Sequence, residues 1–188
     1  MPEKPPRKAV FLDRDSTVIE DMRYSADIAR MKVLPGVIEG LVRLQEAGYT
    51  LVIVTNQSGV ARGCFTEAEL RAFHEALTAR LAESGVRLAR IYYCPHYPEG
   101  KLPEYSTVCD SRKPAPGMIL RAAKELALDL PDSWVIGDSD RDTAAGRGAG
   151  CRTILVETAD DPQTGNPNPD FRAKDLQAAA DIILGEQR

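Results

Sequence analysis

Apolar residues occur along this chain in two distinct patterns. In some segments they are consecutive for three or four positions, which is typical of strands that are buried on both faces of a sheet. In the segments between, they recur every three to four positions, which is typical of helices with one buried face. The segments predicted as strands are 9–12, 51–54, 91–93, 134–136, 153–156 and 182–184.

The helical segments carry start and stop signals. Thr66 and Glu69 have the spacing of a capping box, and Gly48 is suited to end a helix. Pro116 is tolerated in the first turn of a helix. His74 is expected at or near the surface of its helix, without a catalytic role. The segments predicted as helices are 37–47, 67–83, 116–126, 140–149 and 173–180.

The alternation of strands and helices predicts an α/β protein with a central parallel sheet and helices on both faces. Residues 1–188 are expected to form one domain, since neither a long linker nor an internal repeat divides them. Two irregular segments, 21–33 and 94–114, are expected to shape the functional site, and 159–169 is expected to be a surface loop. Ligands of such sheets bind beyond the carboxyl ends of the strands, so candidate chemistry is sought there.

The composition is that of an ordinary globular protein, with 43% apolar and 28% charged residues. The formal net charge of −4 disfavours binding to nucleic acid, which usually requires a basic surface. Neither a membrane-spanning run nor a signal peptide is evident, so we expect a cytoplasmic monomer that acts away from membranes. The four cysteines are then expected to be thiols or metal ligands rather than disulfides.

Carboxylates follow two of the predicted strands closely. Asp13 and Asp15 come after the first strand, and in an extended chain they would face the same side. One could be a nucleophile or metal ligand and the other a general acid and base, although a charged turn has the same sequence. Asp138 follows the fourth strand as a candidate Mg²⁺ ligand, with Asp142 about one helical turn beyond. Asp138 could also cap the next helix, with Asp140 and Asp142 favouring its dipole, and these roles are compatible with metal binding.

Candidate phosphate-binding groups follow the other predicted elements. Residues 55–59 supply hydroxyl, amide and backbone N–H groups, although a turn or helix cap would have a similar sequence. Arg112 and Lys113 precede a helix, where an ammonium group can neutralise a phosphate, although they could also be a solvated basic pair. The ordered set of acid pair, Thr-Asn, lysine and acid is more specific than its parts. It provides what phosphoryl transfer through an aspartyl-phosphate requires.

This ordered set resembles the four motifs of the haloacid dehalogenase-like phosphatases. The similarity spans about residues 9–156. Within that superfamily the sequence is similar to the subgroup that contains the histidinol-phosphate and heptose-bisphosphate phosphatases. The motifs that carry the resemblance are FLDRD at 11–15, VTNQSGVARG at 54–63, YYCPH at 92–96, RKPAPGM at 112–118 and GDSDRD at 137–142.

The resemblance implies a three-layer, Rossmann-like fold without a large cap domain, and a Mg²⁺-dependent phosphatase. Asp13 would attack the phosphorus and bind the metal. Asp15 would be the general acid and base, and would reach the metal through its backbone carbonyl. Asp138 would complete the Mg²⁺ site, with Asp142 in a supporting position.

The resemblance also implies how the substrate is held. Thr55 and Lys113 would contact the phosphoryl oxygens. The substrate would be a small phosphorylated sugar, most specifically a heptose 1,7-bisphosphate that loses its 7-phosphate on the way to cell-surface lipopolysaccharide. Histidinol phosphate is the alternative within the same mechanism. Substrate contacts are implied for Asp21, Met22, Arg23, Tyr24, Asn56, Gln57, Ser58 and Arg112.

The chain departs from the family pattern after the second aspartate, where the family usually has glycine and this chain has Ser16. If the backbone there has a positive φ, serine costs about 1 kcal/mol or more. The geometry of the acid and base would then be perturbed. This departure, together with a second serine at Ser111, keeps open an alternative of another class, a non-catalytic protein that binds a phosphosugar or a metal.

A second departure lies in a cysteine-rich loop. The family often carries Cys-x-His and then Cys-x-Cys, which bind a structural zinc. This chain has Cys94, His96 and Cys109 in the first three positions and Ser111 in the fourth. Three ligands of the right type imply a zinc site, completed by water or by the carboxylate of Asp110. A loop held by prolines, with His96 in a hydrogen bond, is the alternative.

Overall fold

The chain alternates strands with helices around a single sheet. The computed structural model describes residues 7–157 and 168–186. The strands are β1 (Arg7–Leu12), β2 (Thr50–Asn56), β3 (Leu88–Cys94), β4 (Leu128–Gly137), β5 (Arg152–Val156) and β6 (Phe171–Ala173). The helices are α1 (Val37–Glu46), α2 (Glu67–Glu83), α3 (Gly117–Leu126), α4 (Asp140–Ala149) and α5 (Leu176–Gly185).

The six strands are parallel and lie in the order β3-β2-β1-β4-β5-β6. The chain builds one half of the sheet outward from β1, then returns to place β4 against the other side of β1. The strand order therefore reverses between β1 and β4. In open parallel sheets this reversal leaves a crevice at the carboxyl ends of the two strands, which is where ligands bind.

Alternate side chains of the central strands enter two separate apolar layers. From β1, Val10 and Leu12 pack with α1, α2 and α5, whereas Ala9 and Phe11 pack with α3 and α4. All four side chains are fully buried. Because both faces of the sheet are covered, the strands appear in the sequence as continuous apolar runs. The three-layer α/β fold predicted from the sequence is confirmed.

The predicted closing strand at 182–184 is wrong, because those residues belong to α5. Leu176, Ala179, Ala180 and Ile183 are the buried side of this helix, with the spacing of one helical face. The helix predicted over 173–180 instead begins at Leu176, where the preceding side chain of Asp175 accepts a hydrogen bond from Ala178 N.

The last strand was missed because β6 has only three residues, too few to show a periodic pattern. Helices predicted over 67–83 and 140–149 have the observed bounds of α2 and α4. Residues 159–167 of the predicted surface loop lie outside the described residues.

The connections at the carboxyl edge of the sheet are loops with little regular structure. Segment 21–33 contains one 3₁₀ turn, Ile28–Arg30, and segment 94–114 contains another, Pro103–Tyr105. Within residues 7–157 and 168–186, no separate folded unit stands over this edge, as expected for a fold without a large cap. None of the helices in the same ranges is long and apolar enough to cross a membrane.

Candidate active site

A polar cavity of about 690 Å³ opens at the carboxyl ends of the strands, where their order reverses. Every residue predicted for catalysis, Mg²⁺ binding or substrate contact lines this cavity, and the cysteine and histidine ligands predicted for zinc do not. The predicted residues that line it are Asp13, Asp15, Asp21, Met22, Arg23, Tyr24, Thr55, Asn56, Gln57, Ser58, Arg112, Lys113, Asp138 and Asp142.

Lys113 is the buried cation at the floor of the cavity. Its Nζ lies 2.7 Å from Asp13 Oδ1 and 2.5 Å from Asp142 Oδ1, and it donates to the carbonyl of Val54 at 2.9 Å. Burial alone would lower the pKa of Lys113, but the carboxylates of Asp13 and Asp142 raise it above its usual value. The ammonium group is therefore charged, and its charge can meet that of a phosphoryl group bound beside Asp13.

Asn56 fixes the backbone that carries this lysine. Its Nδ2 donates to the carbonyl of Lys113, and its Oδ1 accepts from the N–H of Lys113, both at 3.0 Å. Asn56 is the last residue of β2, so this pair of bonds ties the irregular segment before α3 to the end of a buried strand. The resemblance implied a substrate contact for Asn56, and the structure shows it holding Lys113 in place.

Asp142 is held by the first turn of α4. Its Oδ2 accepts from the N–H and hydroxyl of Ser139, at 3.0 and 2.6 Å, which forms a capping box. Gly137 makes room for it, because a Cβ at that position would lie 2.4 Å from the Cβ of Asp142. The N-cap residue is Ser139 rather than Asp138, and the carboxylate of Asp142 both completes this cap and contacts Lys113.

Three carboxylates, those of Asp13, Asp138 and Asp142, offer oxygens within 4.8 Å of one another. Burial and the neighbouring carboxylates raise the pKa of Asp138 to about 8. Burial likewise raises the pKa of Asp13 to about 6, against the opposing effect of Lys113. Crowded, partly desolvated carboxylate oxygens are the ligands that Mg²⁺ prefers, and a divalent cation would relieve their repulsion. These three carboxylates are therefore suited to bind Mg²⁺.

Asp15 does not share this cluster through its side chain. Its carboxylate is contacted by Arg14, by the Gln57 side-chain amide at 3.0 Å and by the Met22 N–H at 3.4 Å. Gln57 Nε2 also lies 2.9 Å from the hydroxyl of Thr55. The amide thus joins the candidate acid and base to the candidate phosphate ligand on β2.

The mouth of the cavity carries a cluster of arginine and tyrosine side chains, which we call the arginine rim. The guanidinium of Arg62 lies over the rings of Tyr97 and Tyr24, at 4.1 and 5.1 Å from their centres. Arg112 lies 5.1 Å from the centre of the Tyr97 ring and donates to the carbonyl of His96 at 3.1 Å. Burial lowers the pKa of Arg112, and the nearby cations of Arg141 and Arg62 lower it further.

Ser16 has the left-handed backbone conformation in which a serine is expected to be strained. Its φ is 58°, a value that glycine adopts without strain and serine does not. Arg23 and Tyr24, which also line the cavity, have φ values of 46° and 59°. Strained backbone of this kind is frequent at functional sites.

Cys94, His96 and Cys109 come together beside the cavity. The two Sγ atoms lie 3.3 Å apart, and His96 Nδ1 lies 3.2 Å from Cys109 Sγ and 3.8 Å from Cys94 Sγ. Burial and the hydrogen bond with Cys109 raise the pKa of the Cys94 thiol to about 12. The Ser111 hydroxyl donates to Asp110 Oδ1 at 3.2 Å. Three donors of the type that zinc prefers are thus converged.

Several residues of this site were not predicted from the sequence. The guanidinium of Arg14 is buried and contacts Asp15, and Arg62 and Tyr97 come from two separate loops. His74, expected at or near the surface, is only 7% exposed and contacts Arg14. The burial of His74 could have been predicted from the sequence, because it has the helical spacing of the apolar face of α2. That face is formed by Leu70, Phe73, Leu77 and Leu81.

Comparisons with known proteins agree with this site. Residues 111–179 match the HAD-hydrolase-like family. The chain is 48% identical over 153 residues to a D-glycero-beta-D-manno-heptose-1,7-bisphosphate 7-phosphatase of Pasteurella multocida, covering 81% of this chain and 83% of that one. It is 44% identical over 151 residues to the protein of the same name from Escherichia coli K12, covering 80% and 79%.

A solved structure is also similar along nearly the whole chain. The D,D-heptose 1,7-bisphosphate phosphatase of B. bronchiseptica, solved in complex with magnesium and phosphate, superposes with a TM-score of 0.82. It is 36% identical, and the match covers 95% of this chain and 99% of that one.

Proposed function

The chain belongs to the haloacid dehalogenase-like phosphatases, and on that premise we propose that it removes the 7-phosphate of D-glycero-beta-D-manno-heptose 1,7-bisphosphate. The substrate follows the names of the relatives that are 44–48% identical. The reaction is the hydrolysis of a phosphomonoester through an aspartyl-phosphate on Asp13.

The observation that carries the proposal is the presence of two cationic positions in one cavity. Lys113 lies at the floor beside Asp13, and the arginine rim lies at the mouth. Each guanidinium of the rim lies over a tyrosine ring, and apart from NH1 of Arg112, which donates to the carbonyl of His96, its N–H edge can meet an anion. A bisphosphate can place its reacting phosphate on Lys113 and its other phosphate on the rim.

In the first step, a carboxylate oxygen of Asp13 attacks the phosphorus, and the bond from phosphorus to the sugar O7 breaks. Asp15 gives its proton to O7, so that the sugar leaves as an alcohol. Lys113 and Thr55, which we call the phosphate clamp, hold the phosphoryl oxygens, so the charge of the phosphoryl group is met by groups already in position. The crowding of Asp13 against Lys113 places nucleophile and clamp side by side.

In the second step, water attacks the phosphorus of the aspartyl-phosphate, and the bond between phosphorus and the Asp13 oxygen breaks. Asp15 takes the proton of this water, which returns the site to its starting state and releases inorganic phosphate. Asp13 and Asp138 would hold Mg²⁺, together with the backbone carbonyl of Asp15, and the metal would offset the charge of the phosphoryl group.

A zinc ion is proposed for the loop that follows β3. Cys94, His96 and Cys109 would hold it, with water in the fourth position because Ser111 is directed to Asp110. This loop supplies the carbonyl of His96 that accepts from Arg112. Zinc would therefore stabilise the position of Arg112 at the rim. The cytoplasmic location and monomeric state stay predictions.

The decisive experiment measures phosphate release with Mg²⁺ from both anomers of heptose 1,7-bisphosphate, from histidinol phosphate and from p-nitrophenyl phosphate. We expect the beta anomer to be preferred at least 100-fold in kcat/KM, which is about 2.7 kcal/mol of transition-state discrimination. A preference for histidinol phosphate would keep the mechanism and overturn the substrate. Binding of these compounds without release of phosphate would favour the non-catalytic alternative.

A variant of the arginine rim tests whether the rim binds the second phosphate independently of Lys113. Replacing Arg62 by Gln keeps a polar side chain but removes a rim charge. We expect kcat/KM for the heptose bisphosphate to fall at least tenfold while that for p-nitrophenyl phosphate stays within threefold, since only the bisphosphate has a second anion. An equal loss on both substrates would contradict the assignment of the rim to the second phosphate.

A further inference from the structure

Arg14 is a buried cation with three hydrogen bonds that converge on the acid and base, two to Asp15 itself and one to Gln57. Its guanidinium is 2% exposed and donates from Nε to Asp15 Oδ2 and from NH2 to Asp15 Oδ1, both at 3.1 Å. NH2 also donates to Gln57 Oε1 at 3.0 Å, and Gln57 in turn donates to Asp15. The fork of the arginine thereby fixes the plane of the Asp15 carboxylate.

His74 holds the far end of this guanidinium. Arg14 NH1 lies 3.0 Å from His74 Nε2, and a guanidinium can only donate, so Nε2 is the acceptor and the imidazole proton is on Nδ1. Burial, followed by the charge of Arg14, lowers the pKa of His74 to about 3, against the opposing effect of Asp15. The imidazole is therefore neutral at working pH.

The neighbours of both groups limit their movement. The Arg14 guanidinium lies 4.8 Å from the centre of the Phe73 ring, and His74 packs against Phe73 and Tyr93 with ring centres 6.4 and 5.5 Å away. His74 lies on α2 and does not line the cavity, and its side chain contacts neither the phosphate clamp nor the carboxylate cluster. Its one polar contact toward the cavity is with Arg14.

We propose that His74 and Arg14 are positioning residues for Asp15, with His74 orienting the Arg14 fork and the fork orienting the carboxylate that gives and takes the proton. The inference rests on the proposed phosphatase mechanism and adds to it a residue outside the cavity. The chain from α2 to the acid is continuous, since each link is a hydrogen bond of 3.0 to 3.1 Å.

The leaving group tests this role. A sugar alkoxide needs the proton of Asp15 to depart, whereas p-nitrophenolate departs without one. Loss of orientation at Asp15 should therefore lower kcat/KM for an alkyl phosphate more than for an aryl phosphate. A residue that only maintains the fold would lower both equally.

The experiment compares H74L, which fills the site without an acceptor, with H74Q, which can present a carbonyl oxygen to Arg14. For H74L we expect kcat/KM to fall roughly tenfold for heptose 1,7-bisphosphate and less than about threefold for p-nitrophenyl phosphate. H74Q is expected to stay within about threefold of the wild type on both, because the acceptor is restored. L81A, two turns along the same helix, controls for lost stability and should leave the ratio of the two substrates unchanged.

Equal losses on both substrates in H74L, or no rescue in H74Q, would overturn the inference. If the wild type hydrolyses p-nitrophenyl phosphate but not heptose bisphosphate, the proposed substrate is wrong, and histidinol phosphate then serves as the alkyl phosphate. If the wild type releases no phosphate from any of them, the proposed function falls and the positioning role falls with it.

Discussion

Lys113 Nζ lies 2.7 Å from Asp13 Oδ1, although the two residues are 100 positions apart in the chain. The contact joins the end of β1 to the segment before α3. It places the proposed nucleophile and phosphate clamp in contact, so the charge that meets the transferring phosphoryl group is in position before substrate binds. The same contact makes the activity and stability of the site depend on each other.

Replacing Asp13 by Asn removes the nucleophile and one of three crowded carboxylates. We expect turnover to fall more than 100-fold, because the covalent step is lost. The melting temperature at pH 7 should be unchanged or higher, since burial makes ionisation of Asp13 unfavourable and raises its pKa to about 6. Phosphate release and thermal unfolding of the metal-free protein check both parts. Activity above about 1% of the wild type would refute the nucleophile assignment.

Replacing Lys113 by Met leaves Asp13 and Asp142 without their shared cation. We expect the free energy of unfolding at pH 7 to fall by about 3 kcal/mol, since a buried charge without its partner is strongly destabilising. Adding Asp142→Asn in the same chain should recover at least about 1 kcal/mol, because one of the two unpaired carboxylates is then gone. Denaturant unfolding of the two single variants and the double variant measures this coupling, and a double variant no more stable than Lys113→Met would contradict it.

The sequence was sufficient to predict the site residues that directly follow a buried strand. Asp13 follows a fully apolar run, and Asp138 follows another, so the parallel fold alone brings them together. The role of Lys113 could also be predicted from the sequence, because the order of the motifs matched one reaction. The short strand β6 and the full extent of α5 could not be predicted. A three-residue strand has no periodic pattern, and a run of apolar side chains such as 182–184 occurs in both strands and helices.

Residues that act through a tertiary contact could not be predicted. Alternation along an extended chain would place Arg14 opposite Asp13 and Asp15, but β1 ends at Leu12. The N–H groups of Val18 and Ile19 both bond to the carbonyl of Arg14, which shows that the chain turns there. The overall charge of −4 likewise concealed the arginine rim, since composition averages over the surface.

Ser16 offers a test of what holds the acid and base. Ser16→Gly should raise the free energy of unfolding by about 0.5 to 1 kcal/mol, because glycine adopts φ of 58° without strain. We expect kcat/KM to stay within about threefold, since Arg14 and Gln57 orient Asp15 independently of the turn. Ala127→Gly is the matched control, with a φ of 51° at the end of α3 and away from the cavity. A large gain in turnover for Ser16→Gly alone would show that the turn limits the wild-type enzyme.

The cysteine loop predicts a zinc content near one per chain in protein prepared without added zinc. Ser111→Cys should lower the zinc dissociation constant at least about tenfold, because thiolate is a stronger zinc ligand than water. Cys109→Ser should abolish binding, since only two of the three converged donors then remain. Elemental analysis and competition with a chromogenic chelator measure both effects. Less than about 0.2 zinc per wild-type chain would exclude a structural site, which should be nearly full.

The neutral His74 makes the stability of the protein depend on pH. Its pKa is about 3 in the folded chain and near 6.5 in the unfolded chain, so the unfolded state binds the extra proton between these values. Its contribution to stability is fully present above pH 6.5 and is lost as the pH falls toward 3. Between pH 7 and pH 5 we expect His74 alone to account for about 2 kcal/mol of lost stability.

The variant H74Q isolates this contribution, because glutamine keeps an acceptor for Arg14 and does not titrate. Denaturant unfolding of both proteins at pH 7 and pH 5 gives the two differences in unfolding free energy. The wild type should lose about 2 kcal/mol more than H74Q over this range. Parallel losses in the two proteins would mean that His74 accepts a proton in the folded state, and the hydrogen bond from Arg14 to its Nε2 would then be wrong.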